Sequence, residues 1–511
     1  MKQLLPFLLS ALLLLTGCGA PMDEIPDTSW EDYQLGLEET PEPPSPDYPS
    51  AFSLAYHKDL TLDPITCGDG IQQDVAALLY EPLFQLDEGF EPTPLLCDSY
   101  SWDESGLVCT LNIRQDVLFS DGSALTAADA AASLRRAMAS QRYSYRLRQV
   151  VAVTSNRSGQ VVLTLSAPNR GLPALLDIPI VKSGTEGQMV PTGTGPYVLV
   201  TGSDGNRLLA NADWWRQMPL PVSSIPLVHA KDQDTAVYLF SSRRVELLTV
   251  DPTGDQISVT GQSAEAELPT TLFQFIGFNA AKGLFSDPSL RAICGRALQR
   301  ELLCGAFLSG HAQPAQFPIS PLSPLYPGDL EQRYSYDETL SALKTAGQDT
   351  GEVKPLTLLV NEEDSFRLAN AKFIAESLSL LDWQVSVRAL PWEEYMLALE
   401  SGDFDLYYGE ARLTADWNLT DLIGTGGALN YGGYTNGLTD ALLLSFAGAV
   451  DRETVARQLC LHLQSAVPIA PICFKNYTVL THPGVVEGLS PAGGSTFYGL
   501  ENWRVHLDGE T

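Results

Sequence analysis

Between residues 350 and 410 two hydrophobic periods alternate, and that alternation restricts the fold more than any other stretch of the chain. Residues 356–360 form a short apolar run of strand length, 369–381 carry apolar side chains at helical spacing, 385–389 read as a strand, 392–400 as a helix and 404–409 as a further strand. Strands separated by helices are joined by crossovers, so they lie side by side and parallel, with the helices packed on the sheet faces. The stretch predicts an α/β layer.

The remainder of the body is mixed. Residues 51–55 alternate as an opening strand, Leu62-Asp63-Pro64 turns the chain, and Val75, Leu78 and Leu79 suggest a helix over 75–83. A hairpin is expected over 97–113 around Asp103-Glu104-Ser105-Gly106. Thr126 precedes an alanine-rich helix and is answered three residues on by Asp129, a capping box. Residues 161–165 and 271–279 read as strands and 288–303 as a helix. In Thr192-Gly193-Thr194-Gly195-Pro196-Tyr197 the glycines permit unusual backbone angles and Pro196 fixes the exit. A phosphate-binding loop needs Gly-Lys-Ser/Thr leading into a helix, which is absent here, so the loop is read as architectural.

The ends bear on location. Residues 4–15 are apolar apart from Pro6 and Ser10, and Leu15-Thr16-Gly17-Cys18 follows. The run is too short for a spanning helix and reads as a signal peptide over 1–17. A cysteine after leucine, a small polar residue and glycine resembles a bacterial lipobox, which makes Cys18 the lipidated residue and the membrane anchor. Residues 19–50 contain nine Asp or Glu, seven Pro and no Lys or Arg, so 18–50 is expected to be a solvated acidic tether. About 460 residues remain, enough for two or three lobes. A net charge of −31 argues against nucleic acid as a partner. Beyond Cys18 there are seven cysteines, none in a C-x-x-C spacing; an odd number leaves at least one thiol free, and the pairing of the others stays open.

Taken in order, several short motifs resemble the oligopeptide- and nickel-binding family of ABC-importer solute-binding proteins. They are Leu62-Asp63-Pro64, Tyr80-Glu81-Pro82-Leu83-Phe84, Phe119-Ser120-Asp121-Gly122 with Leu125-Thr126-Ala127-Ala128-Asp129, Gly193-Thr194-Gly195-Pro196-Tyr197, and Asn211 with Trp214-Trp215. Gly277-Phe278-Asn279, Phe285-Ser286-Asp287 with Arg291, and Gly402-Asp403-Phe404-Asp405-Leu406 complete the series. The resemblance implies a two-lobed α/β fold of the periplasmic-binding-protein (Venus flytrap) type with an extra domain inserted in the first lobe. Residues 51–69, 183–272 and 475–511 would form the first lobe, 70–182 the inserted domain and 273–474 the second lobe. It also implies a non-enzymatic extracytoplasmic receptor, monomeric and without a cofactor, that closes on a short peptide and delivers it to an ABC permease and ATPase.

In peptide-binding members an aspartate holds the ligand's α-ammonium, and Ala415-Asp416-Trp417-Asn418 matches that segment, which implies this role for Asp416. The aromatic often found three residues earlier is Leu413 here, and the structural alternative for Asp416 is capping of a turn. Further pocket candidates are Thr66, Cys67 and Gly68 after the Asp-Pro turn, and the aromatics Trp392, Trp417, Tyr431 and Tyr434. Core packing is the alternative for each aromatic, and a structural ion pair is expected of Arg291. Three rival readings stay open. A nickel or metallophore receptor has only six histidines to draw on, none at i, i+4 spacing. A surface hydrolase lacks the Gly-x-Ser-x-Gly and His-Glu-x-x-His motifs. A sensory receptor would look the same in sequence.

Overall fold

The computed structural model describes residues 48–203, 205–254, 258–346, 354–381 and 383–508. The expected signal peptide, the lipidation at Cys18 and the tether up to residue 47 lie outside the described residues. Among the described residues no helix is long and apolar enough to cross a membrane.

Two long antiparallel strands, Ala264–Phe278 and Ile469–Thr481, organise the body, pairing from Ala264 opposite Thr481 to Gly277 opposite Ile469. Towards one end Thr478–Thr481 accepts Leu247–Val250 as its outer neighbour, followed by Leu54–Tyr56, Ser224–His229 and the hairpin of Gly205–Ala210 and Tyr197–Gly202. Towards the other end Leu272–Phe278 pairs with Leu406–Arg412, and beyond it lie Lys354–Asn361 and Trp383–Leu390 in parallel register. Helices Ser365–Ser379 and Trp392–Ser401 make the crossovers between these parallel strands, as the alternating periods require. One sheet thus serves two lobes, and the neighbours change where Pro269 and Leu272 face Asn476 and Lys475. The register slips there by a two-residue bulge, Thr270 and Thr271, beside a proline that cannot donate to the ladder.

A separate antiparallel sheet of Cys97–Trp102, Val108–Ile113, Gln160–Leu165 and Val150–Ser155 lies within the stretch expected for the inserted domain. Helix Ala127–Ala139 packs Ala130, Leu134 and Ala137 into the core formed with Leu111, Val161 and Leu163. Thr126 and Asp129 cap it reciprocally, as read from the sequence.

Three expectations change. Neither Gly193 nor Gly195 adopts a left-handed backbone. A Cβ at Gly193 would lie 2.1 Å from the Leu79 carbonyl oxygen, and one at Gly195 2.6 Å from that of Leu78, so both glycines are needed for close approach. Through that contact Gly195 N–H donates to Leu79 C=O at 3.0 Å and Tyr197 N–H to Leu78 C=O at 3.1 Å. This explains the second change: the first helix spans Gly70–Ala77, capped by Asp69, and stops where the carbonyls of Leu78 and Leu79 are taken by another segment. The helix expected over 288–303 ends at Ala297, because the Arg300 guanidinium binds the carbonyls of Gly295, Ala315 and Pro471 and redirects the chain.

The motifs converge on structural joints. Glu81, buried, accepts Thr194 Oγ1 at 2.8 Å, Trp214 Nε1 at 3.1 Å and Trp215 Nε1 at 2.8 Å, joining three of the quoted segments. Asn279 donates to the carbonyls of Gly402 and Phe404, and Asp405 accepts Thr357 N–H at 2.8 Å. Arg291 makes no ion pair among the described residues; its guanidinium donates to the carbonyls of Phe285, Ser286, Ala466 and Val467.

Candidate ligand-binding cleft

A cavity of about 1000 Å³ opens at the bulge, lined by both lobes and the inserted domain. Thr270, Thr271 and Tyr477 come from the exchange point, Asp74 from helix Gly70–Ala77, and Thr249 and Asp251 from the end of Leu247–Val250. Thr496 belongs to the C-terminal loop, Arg412 to the edge of the second lobe, and Arg142, Tyr143 and Arg146 to the segment after helix Ala127–Ala139.

Most charged groups on this wall are matched within it. Arg146 pairs with Asp177, and Arg216 with Glu501 at 2.7 Å. Lys475, 3% exposed, places Nζ 3.0 Å from Asp251 and 3.9 Å from Glu410. Arg367 holds the other Glu410 oxygen at 3.0 Å, so the chain of charges runs from the first lobe to the second through the exchange point. Burial works against the charge on Lys475, yet Glu410 and Asp251 outweigh it and raise its pKa above the ordinary lysine value.

Glu81, engaged by three neutral donors, and three further charged side chains of the cavity form no ion pair among the described residues. Asp74 receives Thr496 Oγ1 at 3.2 Å, and Thr496 Oγ1 lies 3.0 Å from Thr249 Oγ1. Burial pushes the Asp74 carboxyl up to about 6; the threonine hydroxyls oppose the shift and Asp69 adds to it. Arg412 donates to the Tyr477 hydroxyl at 3.2 Å. Arg142 donates to the carbonyls of Pro64 and Cys67 and to Gln73 Oε1 at 2.8 Å.

Asp416 lies outside the cavity lining, on a seam between the second lobe and the inserted domain. Its carboxylate is 3% exposed and accepts Asn169 Nδ2 at 2.8 Å, Thr414 Oγ1 at 2.5 Å and Asn418 N–H at 3.3 Å. The same seam contains Arg452 donating to the Asp416 carbonyl, Arg148 pairing with Asp421 at 2.7 Å, and Arg170 N–H donating to the Ala447 carbonyl at 2.7 Å. Trp417 is fully buried in a left-handed backbone conformation, edge-on to Phe90 and Phe474. Of the other candidates, Gly68 lines the cavity. Beside it, Thr66 is exposed and the Cys67 thiol is buried, facing the Asp69 carbonyl at 3.8 Å. Trp392, Tyr431 and Tyr434 stand in the second lobe away from the cavity. Trp392 stacks on Tyr395, Tyr431 lies edge-on to Tyr407, and the Tyr434 hydroxyl bonds Thr439 at 2.7 Å beneath Arg291. The sequence therefore flagged Asp416 and Trp417 together but gave no signal for Asp74, Arg142 or Arg412, which stand in no motif. Among the described residues the seven cysteines are free and buried, and no group of three His, Cys, Asp or Glu is placed to hold a metal ion.

Comparison with known proteins fits this architecture. The glutathione-binding protein GsiB of Salmonella typhi is 26% identical over 389 residues, covering 71% of this chain and 75% of that protein. HbpA2 from Haemophilus parasuis superposes with a TM-score of 0.74 at 19% identity, covering 89% of this chain and 100% of that one. The oligopeptide-binding protein AppA from Bacillus subtilis, solved in complex with a nonapeptide, gives a TM-score of 0.60 at 19% identity over 90% of this chain and 100% of its own. Residues 91–423 match the model of the bacterial extracellular solute-binding proteins, family 5. With its two lobes, inserted sheet and interlobe cavity, the chain belongs to this family of extracellular solute-binding proteins that serve ABC importers.

Proposed function

We propose that the protein captures short peptides in the interlobe cavity, by closure about the exchange point at Pro269–Leu272 and Lys475–Tyr477, and hands them to an ABC permease and ATPase. The observation that carries this reading is the cavity itself: about 1000 Å³, at the junction of both lobes and the inserted domain, with charged groups left unmatched on its wall. Such a volume is at the upper end for a small-molecule site and suits a peptide of a few residues with its water. The GsiB and AppA relatives, one named for glutathione and the other crystallised with a nonapeptide, support a peptide-like ligand. Lipid on Cys18 and the acidic tether would hold this body at the outer face of the membrane. Asp416, 3% exposed, outside the cavity lining and already accepting three protein donors, would meet a ligand ammonium only if the seam around it opened.

The test is thermal unfolding and small-angle scattering of residues 48–511 with a mixed tripeptide library. Peptide capture by closure requires a rise in Tm together with a smaller radius of gyration. Unchanged Tm across the library rejects the peptide reading, and release of amino acids from it rejects binding without chemistry.

A further inference from the structure

The cavity wall carries an uneven set of charges. Arg146 with Asp177, Arg216 with Glu501 and Lys475 with Asp251 cancel in pairs, while Glu81 is engaged by three donors. That leaves one carboxylate, Asp74, and two guanidiniums, Arg142 and Arg412, without an oppositely charged partner among the described residues. They come from three different parts of the fold. Asp74 stands on helix Gly70–Ala77, which lies past the expected start of the inserted domain but packs Val75 and Ala76 with Leu54, Leu227 and Val479 of the first lobe. Arg142 follows helix Ala127–Ala139 of the inserted domain, and Arg412 ends a strand of the second lobe. Both guanidiniums are solvent-exposed, whereas the Asp74 carboxyl is recessed between Thr249 and Thr496. A recessed carboxylate with no cation beside it is costly, and a ligand ammonium that enters with its own hydrogen-bond donors offsets that cost. Guanidiniums favour carboxylates through paired N–H donors.

Resting on the peptide reading, we infer that the cavity selects peptides with one ammonium and two carboxylates, the ammonium on Asp74 and the carboxylates on Arg412 and Arg142. Because these three groups belong to three bodies, a ligand of this charge pattern gains its full set of ion pairs only when the cleft is shut, which is what a closure-driving ligand must do. The assignment moves the ammonium from Asp416, a buried carboxylate that lies outside the cavity and already accepts three protein donors, to a carboxylate that lines the cavity. Asp69, at the head of the same helix, is the charge that acts on Asp74; the cavity wall also holds Glu81, Asp251 with its Lys475 partner, Glu501 with Arg216, Asp177 with Arg146, and the two guanidiniums.

The experiment is calorimetric titration of the parent, Asp74→Asn and Arg412→Gln with Ala-Glu-Ala, Ala-Lys-Ala and N-acetyl-Ala-Glu-Ala, together with glutathione, which has the same charge count. The parent is expected to bind Ala-Glu-Ala and glutathione at least tenfold more tightly than Ala-Lys-Ala, and to lose at least tenfold on N-acetylation. Asp74→Asn should bind the free and acetylated peptides alike, and Arg412→Gln should lose the preference for Glu over Lys. If acetylation penalises Asp74→Asn as much as the parent, the ammonium binds elsewhere and the assignment fails while peptide capture stands. Equal binding of Ala-Glu-Ala and Ala-Lys-Ala by the parent overturns the charge selection. Failure of every peptide to bind the parent overturns peptide capture and this inference together. Unliganded melting curves of both variants confirm that a loss of binding is not a loss of fold.

Discussion

Glu81 and Asp74 are carboxylates seven positions apart, and in both burial raises the pKa, yet their surroundings differ in kind. Glu81 sits in a joint where a threonine and two tryptophans from distant segments donate to it. Asp74 faces open volume with threonine hydroxyls as its company. The first carboxylate spends its acceptor capacity on assembling the protein; the second accepts, among the described residues, threonine hydroxyls alone and fronts the cavity. Short motifs mark residues of the first kind, because many parts of the chain must agree for such a joint to form.

The largest effect expected is at the joint. Glu81→Ala strands two buried donors and one half-buried one and opens a void, and should lower unfolding free energy by about 4 kcal/mol in urea titrations. A loss under 1 kcal/mol would mean that the joint is not what fixes this corner. Asp416 should behave as the joint does, on a smaller scale. Its replacement by Ala removes the acceptor for Asn169, Thr414 and Asn418 and should cost about 2 kcal/mol without ligand, read by the same titration.

The smallest effect is at Asp74, and it has the opposite sign. Its folded pKa of about 6 exceeds the unfolded 3.8, so the folded state binds the proton more tightly. The stability this group contributes is complete below about pH 4 and is lost as pH rises through 6. The full shift is worth about 3 kcal/mol, and with solvent in the cavity screening the charge Asp74→Asn should gain about 1 to 2 kcal/mol over the parent at pH 7 and flatten the pH dependence between 4 and 6. A parent whose unliganded stability is level from pH 4 to 7 would place Asp74 with the satisfied carboxylates.

The α/β layer at 356–409 was legible because hydrophobic period and element length agree there, and the observed parallel register of Lys354–Asn361 with its neighbours follows. The capping box at Thr126 and Asp129 was legible because it is local. The end of the first helix was not, since it depends on Gly195 and Tyr197 taking carbonyls more than a hundred residues away. The cavity was the least legible part. Asp74, Arg142 and Arg412 look like ordinary surface charges in the sequence, and only the folded chain brings them to one wall. Asp416 was noticed through its neighbours in sequence, whereas its partner Asn169 lies 247 residues earlier.

The bulge has a mechanical corollary. Thr270 Oγ1 donates to the Lys475 carbonyl at 2.7 Å and accepts Leu272 N–H at 3.0 Å, and Thr271 Oγ1 donates to the Leu413 carbonyl at 2.7 Å. Main-chain groups that the slipped ladder would leave bare are thus already supplied by side chains that can swivel. On the proposed closure, a joint built this way would flex without trading bonds with water, leaving the preference for one angle over another to whatever occupies the cleft.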